Sequence, residues 1–250
     1  MSDPKHQSFQ FKQFTVFQDR CAMKVGTDGV LLGAWASGGS TCLSHRRRIL
    51  DIGTGTGLVA LMMAQRFPDA LIDAIEIDRD AAEQACENVS ASPFADRIRV
   101  MEISLQEYAE RMSVQGDRFC KYDAIVSNPP YFVNSLKNPD KFRAIARHTD
   151  TLSFRQLMKG VSCLLSDDGV LSVILPTSCQ GELENESVIS GFSKTCEVKI
   201  RTKEGKTFKR CLMSFCRQIP TTVLREEVCM MDTDNQRSYW YRELTKDFYL

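Results

Sequence analysis

The sequence has no excess of either charge: Lys plus Arg and Asp plus Glu each number 32 among 250 residues, and there are only three histidines. A nucleic-acid partner would therefore have to be bound by local basic clusters rather than by a field over the whole molecule. No apolar run is long enough to cross a membrane, and the N-terminal residues contain no apolar signal core. These absences predict a cytoplasmic protein with no membrane partner.

The ten cysteines are scattered, and no two have the C-x-x-C spacing that is typical of zinc sites. Several lie within apolar runs, as reduced thiols do in an intracellular compartment. We therefore predict no metal site. The chain also lacks an internal repeat, a low-complexity tract and a clear linker, so we expect a single domain over residues 1–250. Within it, an N-terminal segment (1–45) precedes a core (46–250).

Between residues 49 and 175, short apolar runs alternate with segments of helical periodicity. The predicted strands are Ile49–Ile52, Leu71–Ile77, Ile98–Glu102, Tyr122–Ser127 and Gly169–Leu175. The predicted helices are Leu58–Arg66, Asp80–Ala91, Leu105–Met112, Ser153–Leu165 and a stretch around Gly181–Phe192. This alternation predicts a Rossmann-like α/β fold with a mostly parallel, seven-stranded sheet and helices on both faces. Two β-like runs around Glu204–Lys206 predict an antiparallel C-terminal hairpin at the edge of the sheet.

A glycine-rich loop follows the first predicted strand in "ILDIGTGTGLVALMMA", where Gly53, Gly55 and Gly57 lead into a helix. Such a turn lets the backbone approach a ligand, with helix N–H groups directed at it. A dinucleotide site would need a glycine at position 58, which is Leu58. The spacing therefore argues against a nicotinamide or flavin enzyme.

The motif Asn128-Pro129-Pro130-Tyr131 follows the fourth predicted strand, at the same edge of the sheet as the glycine loop. Two prolines can neither continue a helix nor pair within a sheet, so they fix a stiff loop. The alternative is a rigid turn that ends the strand and carries a surface tyrosine.

The loop with its preceding Asp51 resembles the first motif of class I S-adenosylmethionine-dependent methyltransferases. The resemblance implies that the glycines pass the amino-acid part of this cofactor, and that an acid at the end of the second strand binds both ribose hydroxyls. Glu76 is that acid, because a carboxylate can accept two hydrogen bonds from a diol. The alternatives are that Glu76 caps the following helix, or that Asp78, on the same face, takes its place.

The Asn-Pro-Pro-Tyr motif matches the fourth motif of amino-methyltransferases, which act on the exocyclic nitrogen of adenine or on the amide nitrogen of glutamine. A conjugated amine is a poor nucleophile, and acceptors for its two hydrogens favour a reactive, pyramidal nitrogen. The side-chain oxygen of Asn128 and the carbonyl of Pro129 could be those acceptors. Tyr131 could lie against the face of a flipped-out base.

The pattern over Phe9 to Leu250 resembles one family, the bacterial methyltransferases that modify the adenine 3′ of the anticodon in a valine tRNA. The matching segments are F-x-F-K-Q-F-T-V, M-K-V-G-T-D-G-V-L-L-G-A-W, D-I-G-T-G-T-G-L, N-P-P-Y-F, A-R-H-T and L-T-K-D-F-Y-L. The resemblance implies S-adenosylmethionine as cofactor and tRNA as substrate. We separately expect a monomer. Further cofactor contacts would be Lys24, Thr27, Asp28 and Ser104, the last in place of the family's usual aspartate. Contacts to the substrate would be Pro130, Tyr131, Phe132, Arg147 and His148.

Three basic clusters are candidates for contacts with RNA, and for each the alternative is an ordinary solvated face. They are Arg46–Arg48; Lys137, Lys141, Arg143, Arg147 and His148; and Lys199, Arg201, Lys203, Lys206, Lys209 and Arg210.

Three other functions share some of these motifs. A protein glutamine methyltransferase that acts on a release factor would normally carry a helical domain ahead of the core, where this chain has about 45 residues. A DNA adenine methyltransferase would need a separate target-recognition domain. A non-catalytic RNA-binding protein would have no need of the intact Asn128, Pro129 and Tyr131.

Overall fold

The computed structural model describes residues 7–21, 24–37, 47–116, 121–129 and 152–250. In these ranges the chain begins with a two-stranded antiparallel sheet and ends with a short helix. The strands are β1 (Ser8–Gln10), β2 (Thr15–Phe17), β3 (Arg48–Ile52), β4 (Leu71–Glu76), β5 (Ile98–Glu102), β6 (Tyr122–Ser127), β7 (Leu165–Pro176), β8 (Ser193–Arg201), β9 (Arg210–Cys216) and β10 (Leu224–Cys229). The helices are α1 (Thr27–Trp35), α2 (Leu58–Arg66), α3 (Arg79–Ser90), α4 (Leu105–Gln115), α5 (Phe154–Leu164), α6 (Gln180–Ile189) and α7 (Tyr239–Thr245).

The main sheet has the strand order β10-β8-β9-β7-β6-β3-β4-β5, and only β9 runs against the others. This arrangement confirms the predicted α/β fold with a mostly parallel sheet. The sheet has one strand more than predicted, because β10 was missed. β10 consists largely of exposed residues and includes Arg225, Glu226 and Glu227, so it has no apolar run to reveal it. The predicted hairpin exists, but β9 lies inside the sheet and β10 forms its edge.

The central strands are apolar throughout because helices cover both faces of the sheet. All six residues of β6 are buried. One hydrophobic core packs α1, α2, α3 and α7 against the sheet, through side chains such as Leu31 and Met62. The other packs α4, α5 and α6 against the opposite face, through side chains such as Leu157. No helix in the described ranges has the length and apolar character required to span a membrane.

The first and the last of the sequence segments that resemble the family meet in an aromatic cluster. The ring of Phe9 lies 5.9 Å from that of Tyr249, and the ring of Phe11 lies 6.1 Å from it. The N–H of Lys12 donates to the carbonyl of Phe248 at 2.8 Å. Residues 7–14 therefore pack against the end of the chain, and both are part of one core.

A buried polar network lies at the amino edge of the sheet, where the parallel strands begin. The hydroxyl of Tyr122 donates to Asp73 Oδ2 at 2.5 Å, and Arg48 Nη2 donates to the same oxygen at 2.8 Å. The hydroxyl of Tyr108 bonds to that of Tyr122. Burial and the adjacent Asp73 raise the pKa of Tyr122 above its ordinary value, so it remains a hydrogen-bond donor. The network ties β3, β4 and β6 together at the edge opposite the glycine loop.

Candidate active site

The carboxyl edge of the sheet brings the glycine loop, the acid and the asparagine together. In the β3–β6 ladder Ile52 pairs with Ser127, and in the β3–β4 ladder Ile52 pairs with Ile75. Gly53 and Asn128 are therefore the next residues on neighbouring strands, and Glu76 ends the strand on the other side. In open α/β sheets this edge is where ligands bind.

The glycine loop has a backbone that other residues rarely adopt, since Gly53, Gly55 and Gly57 have φ angles of +71°, +56° and +81°. A Cβ atom at Gly57 would lie 3.5 Å from the Cα atom of Ala85, whereas one at Gly53 or Gly55 would meet nothing within 4 Å. The first two glycines thus border open space, whereas the third lies against α3 and is required by its positive φ angle. Gly53 is exposed and Gly55 is partly exposed, so a ligand could approach the loop at these two residues.

Asp51 lies beneath this loop and is only 1% exposed. Its Oδ2 atom accepts hydrogen bonds from Thr54 Oγ1 at 2.6 Å and from the N–H of Ala60 at 3.1 Å. Burial raises the pKa of Asp51 to about 7, these two hydrogen bonds offset part of the rise, and the charge of Glu76 adds to it. Asp51 therefore holds the loop and the first turn of α2 in place from within the fold.

Glu76 is directed at the loop from the tip of β4. Its Oε2 atom accepts from the N–H of Gly55 at 2.9 Å, and its Oε1 atom accepts from the N–H groups of Ile77 and Asp78 at 2.8 and 3.0 Å. The N-cap of α3 is Asp78, whose carboxylate accepts from the N–H of Ala81 at 2.8 Å. The two acids thus have different tasks, and the alternative that Glu76 is the helix cap is wrong.

Asn128 follows β6 at the point where the strand is held by a hydrogen bond from Ser127 Oγ to the carbonyl of Ile52, 2.9 Å long. Asn128 is half-buried and Pro129 is buried. The end of β6 is therefore fixed to β3 immediately before the asparagine. The five predicted contacts to the substrate lie outside the described residues: Pro130, Tyr131, Phe132, Arg147 and His148.

Helix α1 packs against the start of α2, the helix that follows the glycine loop. A Cβ atom at Gly29 would lie 3.0 Å from the side chain of Leu58, the first residue of α2. Gly26 is the N-cap of α1, and Thr27 and Asp28 lie in its first turn.

The charged groups predicted to contact a cofactor from this segment already have protein partners. Asp28 Oδ1 lies 2.5 Å from Arg210 Nε, off the line of a hydrogen bond, so the contact is an ion pair. The ammonium of Lys24 donates to the side chain of Gln7 on the surface. Arg210 begins β9, so the Asp28 ion pair joins α1 to the β8–β9 hairpin at the carboxyl edge.

Ser104 is the N-cap of α4, and its hydroxyl accepts from the N–H of Glu107 at 3.2 Å. The N–H of the preceding Ile103 donates to the carbonyl of Glu76 at 2.8 Å, so the tips of β4 and β5 are adjacent. Ser104 thus stands near Glu76, with its hydroxyl used for capping.

Two buried amides that the sequence did not single out connect the N-terminal segment to the loop. Asn88 is fully buried in α3, exchanges hydrogen bonds with the backbone N–H and C=O of Phe17, and donates to the carbonyl of Thr56, all at 2.8 Å. Gln84, one turn earlier, accepts from the N–H groups of Asp19 and Arg20. The one signal in the sequence is that these amides occur at i and i+4 beside the alanines of the buried face.

Solved structures of other proteins share this fold. A predicted O-methyltransferase from Agrobacterium tumefaciens has a similar crystal structure, with a TM-score of 0.66, 20% identity and coverage of 88% of this chain and 96% of that one. TYW2 from Pyrococcus horikoshii, in complex with MeSAdo, gives a TM-score of 0.56 at 12% identity, over 87% and 74% of the two chains. At such identities the likeness shows the fold alone. Within the described residues no group of His, Cys, Asp and Glu could hold a metal ion.

Similarity of sequence is closer and extends over nearly the whole chain. The methyltransferase small domain model matches residues 40–204. The tRNA1(Val) (adenine(37)-N6)-methyltransferase of Bacteroides thetaiotaomicron is 48% identical over 243 residues, 97% of each protein. That of Aeromonas hydrophila is 42% identical over 247 residues, 98% of each. The chain therefore belongs to the family of tRNA1(Val) (adenine(37)-N6)-methyltransferases.

Proposed function

We propose that this protein transfers the methyl group of S-adenosylmethionine to the exocyclic N6 of an adenine in tRNA, adenine 37 of tRNA1(Val) being the target for which its relatives are named. The observation that carries the proposal is the ladder register that makes Gly53 and Asn128 neighbours at the carboxyl edge. The cofactor loop and the acceptor of the amine would thereby face one common space.

The residues at this edge fit S-adenosylmethionine. Gly53 and Gly55 border open space, and Glu76 has both carboxylate oxygens fixed by backbone N–H groups, with acceptor capacity left for a ribose. We assign the ribose to Glu76 and the amino-acid part to the loop and to the first turn of α1. The proposed set of cofactor contacts is Lys24, Thr27, Asp28, Gly53, Gly55, Gly57, Glu76, Ser104 and Asn128, with Asp51 acting from beneath the loop.

In this reaction the main task of the protein is to bind and orient the cofactor and the reacting amine. When bound, S-adenosylmethionine supplies an electrophilic methyl carbon, which the amine nitrogen takes as the carbon–sulfur bond breaks. Asn128 Oδ1 and the carbonyl oxygen of Pro129 accept hydrogen bonds from the two hydrogens of the amine, which frees its lone pair and fixes its direction. The surplus proton on nitrogen leaves to solvent. We propose Pro130, Tyr131, Phe132, Arg147 and His148 as substrate contacts.

Residues 7–37 and the core are proposed to act as a single domain. The hydrogen bonds of Asn88 and the packing of Phe9 and Phe11 on Tyr249 support this, because both join the N-terminal segment to the core.

The test combines product identification with one variant and its control. The protein is incubated with labelled S-adenosylmethionine and either unmodified tRNA or a release factor, and the product is digested and identified by mass spectrometry. We expect N6-methyladenosine at position 37 of tRNA1(Val). Methylglutamine in the release factor, or no product in either substrate, would refute the assignment.

Asn128→Ala is then expected to lower kcat by about 10² or more, as the loss of a group that stabilises the reacting geometry does. Cofactor affinity, measured by calorimetry, should change less than about threefold, roughly 0.7 kcal/mol. Asn185→Ala, a matched change at an exposed position on α6, is expected to leave both quantities unchanged. Equal loss of turnover and of cofactor affinity in Asn128→Ala would contradict the assigned role.

A further inference from the structure

The three basic clusters lie in different places. Only the cluster on the β8–β9 hairpin both belongs to the described residues and lies at the carboxyl edge of the sheet. Of the Arg46–Arg48 cluster, Arg46 is outside the described residues. The guanidinium of Arg47 stacks on Phe67 at 4.8 Å, and Arg48 bonds to Asp73. These two arginines stand at the amino edge and have internal partners. The cluster of Lys137 to His148 lies outside the described part of the chain.

The β8–β9 loop (residues 202–209) lies at the carboxyl edge. β8 runs in the same direction as β7 and β6, so its last residue, Arg201, ends where those strands end. Arg210 begins β9 opposite Pro176, the last residue of β7. The ion pair of Arg210 with Asp28 brings this hairpin to the first turn of α1. The loop thus shares an edge with the glycine loop and with the end of β6.

The β8–β9 loop contains three lysines and one acidic residue, Glu204. Lys206 and Lys209 are exposed, and the ammonium of Lys203 donates to Asn235 Oδ1 at 3.0 Å. Other lysines of the described chain are neutralised by carboxylates: Lys194 by Glu184 and Glu197, Lys199 by Glu197 and Lys246 by Glu243. Within the same described ranges no such ion pair involves Lys206 or Lys209. Their positive charge is therefore directed to solvent.

The backbone of the β8–β9 loop is fixed. Thr177 donates to it twice, through Oγ1 to the carbonyl of Phe208 at 2.8 Å and through N–H to that of Lys209 at 3.2 Å. The guanidinium of Arg201 covers the ring of Phe208 at 5.1 Å. The lysines project from an ordered support, so little backbone entropy is lost when they bind a partner. Arg201 covers one face of the Phe208 ring, and the exposed lysines are positively charged groups of the loop that a partner can reach.

We infer that the β8–β9 loop binds the phosphate backbone of the tRNA beside the reacting adenine, through Lys206 and Lys209. The inference rests on the proposed function for the identity of the RNA. Contacts of lysine with phosphate supply affinity and register without reading sequence. The surface would hold the anticodon arm over the carboxyl edge while other residues select the adenine.

The test is the salt dependence of tRNA binding to the whole protein. In the double variant Lys206→Gln, Lys209→Gln, the slope of log Ka against log salt concentration should become shallower by about 1.4 to 1.8, since each lost lysine contact removes roughly 0.7 to 0.9. The KM for tRNA should rise, whereas kcat at saturating tRNA and affinity for S-adenosylmethionine should remain unchanged. The control is Lys121→Gln, Arg225→Gln, which removes the same charge from exposed positions at the start of β6 and of β10.

A wild-type slope and KM in the Lys206, Lys209 variant would overturn the inference, as would an equal change in the control. The proposed function fails separately, through absence of N6-methyladenosine in tRNA treated with wild-type protein. Binding is measured by filter retention without turnover, so it gives a result for the loop in either case.

Discussion

The carboxyl group of Asp51 gives the folded protein a stability that depends on pH with a sign opposite to that of most aspartates. Its pKa is raised from 3.8 to about 7 because it is buried; its two hydrogen bonds offset part of the rise, and no ion pair within the described residues involves it. Between these values the unfolded chain carries a carboxylate at this position while the folded chain keeps the proton. The folded state then binds more protons, so stability is highest below pH 4 and falls as the pH rises to 7.

The size of this effect follows from the two pKa values. For a single group the free energy of unfolding falls by about 2 kcal/mol between pH 5 and pH 7, and by less than about 0.5 kcal/mol between pH 7 and pH 9. Asp51→Asn removes the titration. Its side-chain oxygen can still accept from Thr54 and Ala60, since one oxygen, Oδ2, accepts both bonds in the wild type.

The assay is urea unfolding of wild type and Asp51→Asn, both without cofactor, at pH 5, 7 and 9. All other titrating groups are common to the two proteins and cancel in the difference. We expect the stability of the variant relative to wild type to rise by about 2 kcal/mol from pH 5 to pH 7 and then to level off. A constant difference across this range would refute the account of Asp51 as a buried carboxyl without a counter-charge.

Four further changes test other parts of the fold. Tyr122→Phe removes the hydroxyl that donates to Asp73, and we expect the free energy of unfolding, measured in urea, to fall by about 1–3 kcal/mol. Gly57→Ala puts a side chain on a residue whose φ angle is +81°, 3.5 Å from Ala85 in the next helix. We expect it to lower the free energy of unfolding by about 1–3 kcal/mol. Gly181→Ala, in a helix with nothing within 4 Å, should instead stabilise by about 0.5–1 kcal/mol. Asn88→Ala should accelerate amide hydrogen exchange in β2 more than in the main sheet. An equal change in both would contradict the anchoring role of Asn88.

Features with a local cause were predictable from the sequence. β6 is buried on both faces and is therefore apolar over its whole length, and its predicted bounds agree with the structure. The glycines of the loop occur where the backbone requires positive φ, so their spacing alone located the turn. Helix bounds were correct to within a few residues, as for α2 and α5, because capping and periodicity are read over one or two turns.

Features that join distant segments could not be read from the pattern. The ion pair of Asp28 with Arg210 depends on which strand neighbours α1, and spacing along the chain says nothing about that. The hydrogen bonds of Asn88 to Phe17 likewise appear only when β2 lies on α3. β10 forms because β8 offers an unpaired edge, which outweighs the weak strand propensity of its own charged sequence.

Residues 7–14 pack against the last helix and the residues after it. This contact has a consequence for how the protein is made. Lys12 and Lys246, joined by a hydrogen bond, are 234 positions apart. At about 5–20 residues per second, a ribosome needs roughly ten to fifty seconds to deliver the second segment after the first. During that interval Phe9 and Phe11 lack the aromatic partner that Tyr249 provides. We expect the nascent chain to need chaperone protection, because this aromatic core can be completed only after Tyr249 has been synthesised.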